Sequence, residues 1–238
     1  MSVLPPVRIR VRFSKLGRVR FTSHRDVARM WERALRRARF PVRYTEGFTP
    51  RPQLSFGLAL PTGCASVAEY LDVATDADGV DAAAELSRLS PLLPDGVDVL
   101  AAAVVPTGTG SLQEDVTSCE WEIEVPGTSP GRLEAAIRQA LDASVLPLER
   151  ERKGHVVTDD VRPSLLALTA RRAGQGARLH AELATRPRGL PPSELARAIG
   201  VELGPARRTC QWIERDGSRW EPLVSTGIPD DTTWERAS

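Results

Sequence analysis

Val7-Arg8-Ile9-Arg10-Val11-Arg12-Phe13, then Lys15-Leu16-Gly17, then the run from Arg18 to Arg39, is the stretch that decides the fold. Apolar residues at 7, 9, 11 and 13 alternate with arginines at 8, 10 and 12. That two-residue period predicts a half-buried strand with an open, arginine-bearing face. Lys15-Leu16-Gly17 reads as a turn, and alternation resumes with Val19 and Phe21 against Arg18 and Arg20, giving a hairpin. Thr22 or Ser23 is a good helix cap, with Asp26 in the first turn. Over residues 24–39 the period changes to that of a helix. Val27, Met30, Trp31, Ala34, Leu35 and Ala38 fall on one face, and Arg25, Arg29, Arg33, Arg36, Arg37 and Arg39 fill the opposite arc. Pro41 stops the helix.

Working outward, strands are expected at 42–45, 54–60, 69–73 and 97–105, with a weaker helix at 81–89. Residues 107–113 are polar and Gly-rich and read as a linker. The second half repeats the order: strand 120–125, helix 129–143, strands 146–153, 165–171 and 178–184, helix 193–199 and strand 209–213. Both halves thus read as β-α-β-β-α-β with an extra hairpin at the start of the first. The expected class is α+β, two ferredoxin-like halves with antiparallel sheets and helices on one face. The expected domains are 1–106 and 116–214, with 215–238 as a loose tail.

Charge is distributed unevenly. Residues 1–56 carry fourteen Lys and Arg against three acids, a surplus of eleven in a chain whose net charge is +1. Residues 116–238 are nearly balanced, at 17 bases and 18 acids. Thirteen of the fourteen N-terminal bases are arginines. The guanidinium forks onto phosphate and stacks on bases, so the placement favours a polyanion, nucleic acid above all. The competing reading is a solvated surface in a lysine-poor chain, which explains arginine over lysine but not the lopsided placement.

Hydrophobic content of 41% and charged content of 26% are those of a soluble globular protein. Aromatics are only 5%, so the cores must rest on Leu, Val and Ala. Cys64, Cys119 and Cys210 lie far apart with no Cys-x-x-Cys pair, which argues against a disulfide framework, a zinc knuckle or an iron–sulfur site. No metal and no cofactor are expected. Scattered cysteines, no signal-peptide core and no run of membrane-spanning length point to the cytoplasm.

The densest constellation runs Arg20-Phe21-Thr22-Ser23-His24-Arg25-Asp26, then Arg33-Ala34-Leu35-Arg36-Arg37-Ala38. It continues with Tyr44-Thr45-Glu46-Gly47-Phe48-Thr49-Pro50-Arg51-Pro52, Leu54-Ser55-Phe56, Leu60-Pro61-Thr62-Gly63 and Glu69-Tyr70-Leu71-Asp72. This resembles the radical-SAM-linked protein family, whose pattern reads approximately F-x-S-H-x-D, R-A-L-R-R-A, Y-S-x-G-F-N-P-x-P, S-F, L-P-x-G and E-Y-x-D. The match covers residues 7–75. Arg25, Thr45 and Thr49 depart from it, where Leu, Ser and Asn are common. The resemblance implies a partner of a radical SAM protein with cobalamin-binding features, or a module fused to one. That chemistry needs a Cys-x-x-x-Cys-x-x-Cys ligand set that this chain lacks, so the resemblance implies an accessory module. A more distant fold-level likeness is to the CRISPR repeat-processing endoribonucleases.

His24 is the strongest lone candidate for acid–base work, with Tyr44, Ser23 or Asp26 as possible partners in a metal-independent RNA-cleaving site. Against this, Ser23 and Asp26 equally read as cap and first-turn acid, with His24 bonded to nearby backbone. The loop 47–52 has Gly47 for a positive φ and two stiffening prolines. It either presents Phe48 and Arg51 for stacking and a phosphate contact, or uses Phe48 to pin itself to the core. Glu69 and Asp72 fall on opposite strand faces and read as solvated or ion-paired rather than cation-binding.

The expected function is a non-catalytic RNA-binding accessory protein that presents RNA to a radical SAM enzyme. Arg25, Arg29, Arg33, Arg36, Arg37, Arg20, Arg51 and Phe48 would hold the RNA, assisted by Arg8, Arg10, Arg12 and Arg18. Residues 57–238 are left for protein docking. The rivals are a metal-independent endoribonuclease using His24 and a protein-interaction module whose basic end docks an acidic partner or the chain's own acidic half.

Overall fold

The computed structural model describes residues 7–76, 81, 85, 88–106, 108–152, 154–173 and 176–223. The fold is mixed α+β, with mostly antiparallel sheet and few helices among the described residues. The chain divides into two compact units, Met1–Asp115 with Glu221–Ser238, and Val116–Trp220.

In the first unit, β1 (Val7–Lys15) lies between β4 (Val99–Val105) and β3 (Ala65–Thr75), antiparallel to both, and β2 (Leu54–Phe56) pairs antiparallel with β3. The order β4-β1-β3-β2 leaves one sheet face for α1 (His24–Ala38). Val11, Phe13, Leu71 and Val73 from the sheet meet Val27, Trp31, Ala34 and Leu35 from the helix in one buried cluster. The indole of Trp31 takes the edge of Phe13 at 5.1 Å between centroids. Such an aromatic pair adds about 0.5–1.5 kcal/mol to area burial. The helical period of the apolar residues is therefore used as the sequence predicts.

The second expected strand of the hairpin is absent: Gly17–Phe21 is a 3₁₀ turn. Gly17 has φ +56°, and Val19 points inward while Arg18 and Phe21 are exposed, so four residues turn where alternation predicts extension. The expected strand at 42–45 reduces to isolated bridges, Val42 with Thr75 and Tyr44 with Pro52. The strand at 54–60 stops at Phe56, and the Gly57 amide donates to the Tyr70 carbonyl at 2.9 Å. The helix expected at 81–89 lies largely outside the described residues. The linker expected at 107–113 ends in a helical turn, α2 (Leu112–Asp115), which buries Leu112.

In the second unit β5 (Val116–Val125) pairs with β9 (Gly176–Ala184) and β10 (Ala206–Arg215), and β8 (Leu165–Ala173) pairs with β9, all antiparallel. The order is β10-β5-β9-β8. Helix α3 (Pro130–Asp142) buries Leu133, Ile137 and Ala140, and α4 (Pro192–Ile199) buries Leu195, Ala196 and Ile199. The strand at Pro147–Arg152 (β6) closes a hairpin with β7 (His155–Asp160), which the sequence reading missed because His155-Val156-Val157-Thr158-Asp159-Asp160 is too polar to signal a core strand. The buried Arg150 holds this hairpin to α4 through Asp159 at 3.0 Å and Glu194 at 2.5 Å.

The expected loose tail is ordered at its start. Ser218–Trp220 forms β11 on β10, and Glu221 ion-pairs with Arg12. Residues 224–238 of that tail lie outside the described residues.

Gly96 is a specific test of the first unit. Its φ is +88°, and an added Cβ would drive into the Leu16 carbonyl. Its own carbonyl accepts from the Leu16 amide at 2.8 Å. Gly96→Ala is expected to destabilise by roughly 2 kcal/mol or more, read as a lower urea midpoint at unchanged m-value.

Candidate nucleic-acid interface

Burying one face of α1 turns the other outward. Arg25, Arg29, Arg33, Arg36, Arg37 and Arg39 are all exposed. The helix begins at Ser23, whose hydroxyl accepts from the Asp26 amide at 3.2 Å and donates to the Asp26 carboxylate at 2.7 Å. That hydroxyl, and beyond it the Arg29 guanidinium, hold the Asp26 carboxyl below its ordinary range. Ser23 and Asp26 therefore serve the cap. Arg29 reaches Asp26 at 3.5 Å, with both groups largely exposed. Among the described residues no carboxylate pairs with Arg25, Arg33, Arg36, Arg37 or Arg39. Six guanidinium groups over four turns repel one another with one weak partner among them. Like charges one turn apart cost a few tenths of a kcal/mol per pair, so the stripe is a surface shaped for an anion rather than for stability.

The arginines of β1 behave differently, and the expectation of an open face there is corrected. Arg10 is 4% exposed and Arg12 1%. Arg10 forks onto the Asp72 carboxylate at 2.8 and 2.9 Å. Arg12 donates to the Val67 carbonyl at 3.0 Å, to Glu221 at 3.0 Å and to the Leu223 carbonyl at 3.5 Å. Arg8, partly exposed, lies 3.7 Å from Asp72 and donates to the Thr109 carbonyl at 2.5 Å. Strand alternation separates two faces but does not say that the second is wet. Here it is covered by residues of the same unit, which take these guanidinium groups as internal partners. Asp72 is accordingly ion-paired.

The loop after Tyr44 is a closed tip. The Thr45 amide donates to the Arg51 carbonyl at 2.8 Å, and the Arg51 amide to the Thr45 hydroxyl at 3.0 Å. Gly47 supplies a φ of +122°. Phe48 stands fully in solvent, so it does not pin the loop to the core, and Arg51 is exposed on the same loop. Arg20 is half-buried with its guanidinium 4.7 Å from the Phe21 ring centroid, and Arg18 is exposed.

His24 is exposed and takes Phe56 edge-on at 5.0 Å. Tyr44 is exposed, and its carbonyl accepts from Gln53 at 3.3 Å. No hydrogen bond joins His24 to Tyr44 among the described residues. His24 instead stands on the rim of a cleft whose apolar wall includes Phe13, Val27, Leu58 and Leu60. Lys15 and Glu69 line its polar side, at 4% and 8% exposure. Sequence reasoning did not single out Lys15 for chemistry and set Glu69 aside. Their separation in the chain hides a convergence that comes from β1 and β3 lying side by side, with Phe13 opposite Glu69 and Lys15 opposite Ser66.

In the second unit charges are paired internally. Glu122 pairs with Arg207 at 2.6 Å, Glu182 with Arg219 at 2.9 Å, and Glu120 accepts from Trp212 at 2.8 Å. Burial holds the His180 imidazole below its ordinary pKa, against the pull of Glu122. Among the described residues no group of three or more His, Cys, Asp or Glu gathers as a metal ligand set, and no helix is long and apolar enough to cross a membrane.

Fold and surface together define a mixed α+β protein with an arginine-striped helix. The chain belongs to the family described as Uncharacterized protein conserved in bacteria (DUF2344), whose model matches residues 8–190. The match takes in α1, the closed loop tip and the cleft. No curated protein matches the chain.

Proposed function

We propose that this protein is a non-catalytic RNA-binding accessory protein that presents RNA to a radical SAM enzyme in the cytoplasm. The observation that carries the RNA part is the stripe on α1, where exposed guanidinium groups project from a rigid helix with almost no internal counter-charge. Phosphate contacts of this kind position a strand without reading its sequence. The fully exposed Phe48, on the same loop as the exposed Arg51, adds a stacking surface. The radical SAM part rests on the motif series in residues 7–75. The three cysteines are buried and joined by no disulfide, in keeping with a reducing compartment.

We also read each unit as ferredoxin-like. The supporting observation is the sheet order, β4-β1-β3-β2 in one unit and β10-β5-β9-β8 in the other, last-first-third-second in both.

The test is co-purification with the radical SAM protein encoded in the same genome, with RNA crosslinked in the cell and sequenced. Wild type is expected to carry a defined RNA species and the enzyme together. Arg29→Glu/Arg36→Glu is expected to lose the RNA and keep the enzyme, because docking is assigned to residues 57–238. Association that requires the arginines would make the stripe a protein-docking face. No association in either protein would end the accessory reading.

A further inference from the structure

Phe21 is an aromatic residue 61% exposed in the midst of arginines, and its ring is held in place. It closes the 3₁₀ turn Gly17–Phe21, just ahead of the cap Ser23 and of Arg25, where the stripe of α1 begins. The turn is fastened on both sides. The Thr22 amide and hydroxyl donate to the Val19 carbonyl at 3.0 and 2.6 Å, and the Gly63 amide donates to the Arg20 carbonyl at 2.9 Å. A Cβ at Gly63 would touch the edge of the Phe21 ring at 3.9 Å. The Arg20 guanidinium carbon lies 4.7 Å from the ring centroid, within the range of a cation–π contact. These neighbours set the ring and still leave more than half of the residue to solvent.

A single exposed apolar side chain is ordinary on a protein surface. What sets Phe21 apart is the cation on its ring and the charge around it. The Nε of Arg20 has no hydrogen-bond partner, and among the described residues no carboxylate pairs with Arg18, Arg20 or Arg25. An apolar side chain of a protein partner would cover the ring but desolvate those guanidinium groups without a counter-charge. A nucleotide brings a flat base and a phosphate together, so it answers both.

We propose that Phe21 and Arg20 hold one unpaired nucleotide of the RNA, its base stacked on the exposed ring and its phosphate facing the arginines at 18, 20 and 25. This rests on the RNA-binding reading and adds to it that the RNA is single-stranded where it passes the start of α1. A base inside a duplex has its faces stacked on its neighbours and cannot lie on the ring; an unpaired one is free to do so. Stacking on an aromatic side chain tolerates any base, because every base has a π-face. The site therefore selects unpaired RNA over duplex, not one sequence over another.

The test uses the full chain and three labelled ligands: decauridine, the same sugar–phosphate strand without bases, and an RNA duplex of equal length. Wild type is expected to hold decauridine about tenfold more tightly than the baseless strand. Phe21→Ala is expected to weaken decauridine binding about fivefold, with its salt slope unchanged and with no effect on the baseless strand or the duplex. Phe21→Leu is expected to lose as much, and Phe21→Trp to bind at least as well as wild type, because stacking needs a ring rather than apolar bulk. Arg20→Gln is expected to weaken decauridine and the baseless strand alike. Equal binding of those two strands by wild type overturns the stacking site and leaves the RNA-binding reading standing. No binding of any ligand ends the RNA reading and the site with it. A gain from the bases that survives Phe21→Ala and Phe21→Leu places the stacked base elsewhere and overturns the proposal. So does a Phe21→Ala protein that keeps its RNA but loses the radical SAM protein, since the ring would then be a protein contact.

Discussion

Reversing Arg29 and Arg36 to glutamate is expected to lower affinity for structured RNA by about ten- to a hundredfold at 0.1 M salt. It should also reduce the slope of log K against log salt by about 1.4–1.8. Each phosphate neutralised by a guanidinium releases condensed counterions, at roughly 0.7–0.9 ions per contact, so two lost contacts set both numbers. Both side chains are exposed, so the variant should fold as wild type does, with surface changes of this kind typically worth about 0.5 kcal/mol or less. Replacing Arg10 and Arg12 is no equivalent experiment, because those groups are committed inside the protein. Fluorescence anisotropy over a salt series decides the matter. Unchanged affinity and slope would remove the α1 face from the interface.

Asp72→Ala is expected to cost on the order of 3–5 kcal/mol of stability, because it leaves a buried guanidinium without its counter-charge. Arg10 forks onto Asp72 with both side chains almost fully buried, and Arg8 approaches the same carboxylate. The comparison that isolates the cause is Arg10→Met/Asp72→Leu. Replacing the pair by apolar side chains removes the desolvation cost with the attraction, so much of the lost stability should return. Urea unfolding of the three proteins measures it. A loss below about 1 kcal/mol for Asp72→Ala would mean that water reaches Arg10, and the β1 arginines would return to the list of surface cations.

The sequence by itself determined the helix of the first unit and the sign of its outer surface. A 3.6-residue period specifies which side of α1 packs inward, and the arginines left over must face out. It determined β1 as well, because alternation over seven residues has no helical reading. It also placed Gly47 where a positive φ is needed. What it left open was the environment of each strand's second face. Arg8, Arg10 and Arg12 have the same spacing whether they meet water or Asp72 and Glu221, and the partners lie 62 residues from Arg10 and 209 from Arg12. The position of Phe48 was likewise open, since an aromatic at a loop tip reads the same docked or exposed. The cleft was invisible for a related reason. Lys15 closes one strand and Glu69 sits mid-way along another, and only the β1–β3 register brings both to one cleft with His24 on its rim. Periodicity is a local property of the backbone, so the chain carries it in plain order. Pairing is set by which distant strands share a sheet, and only the tertiary structure decides that.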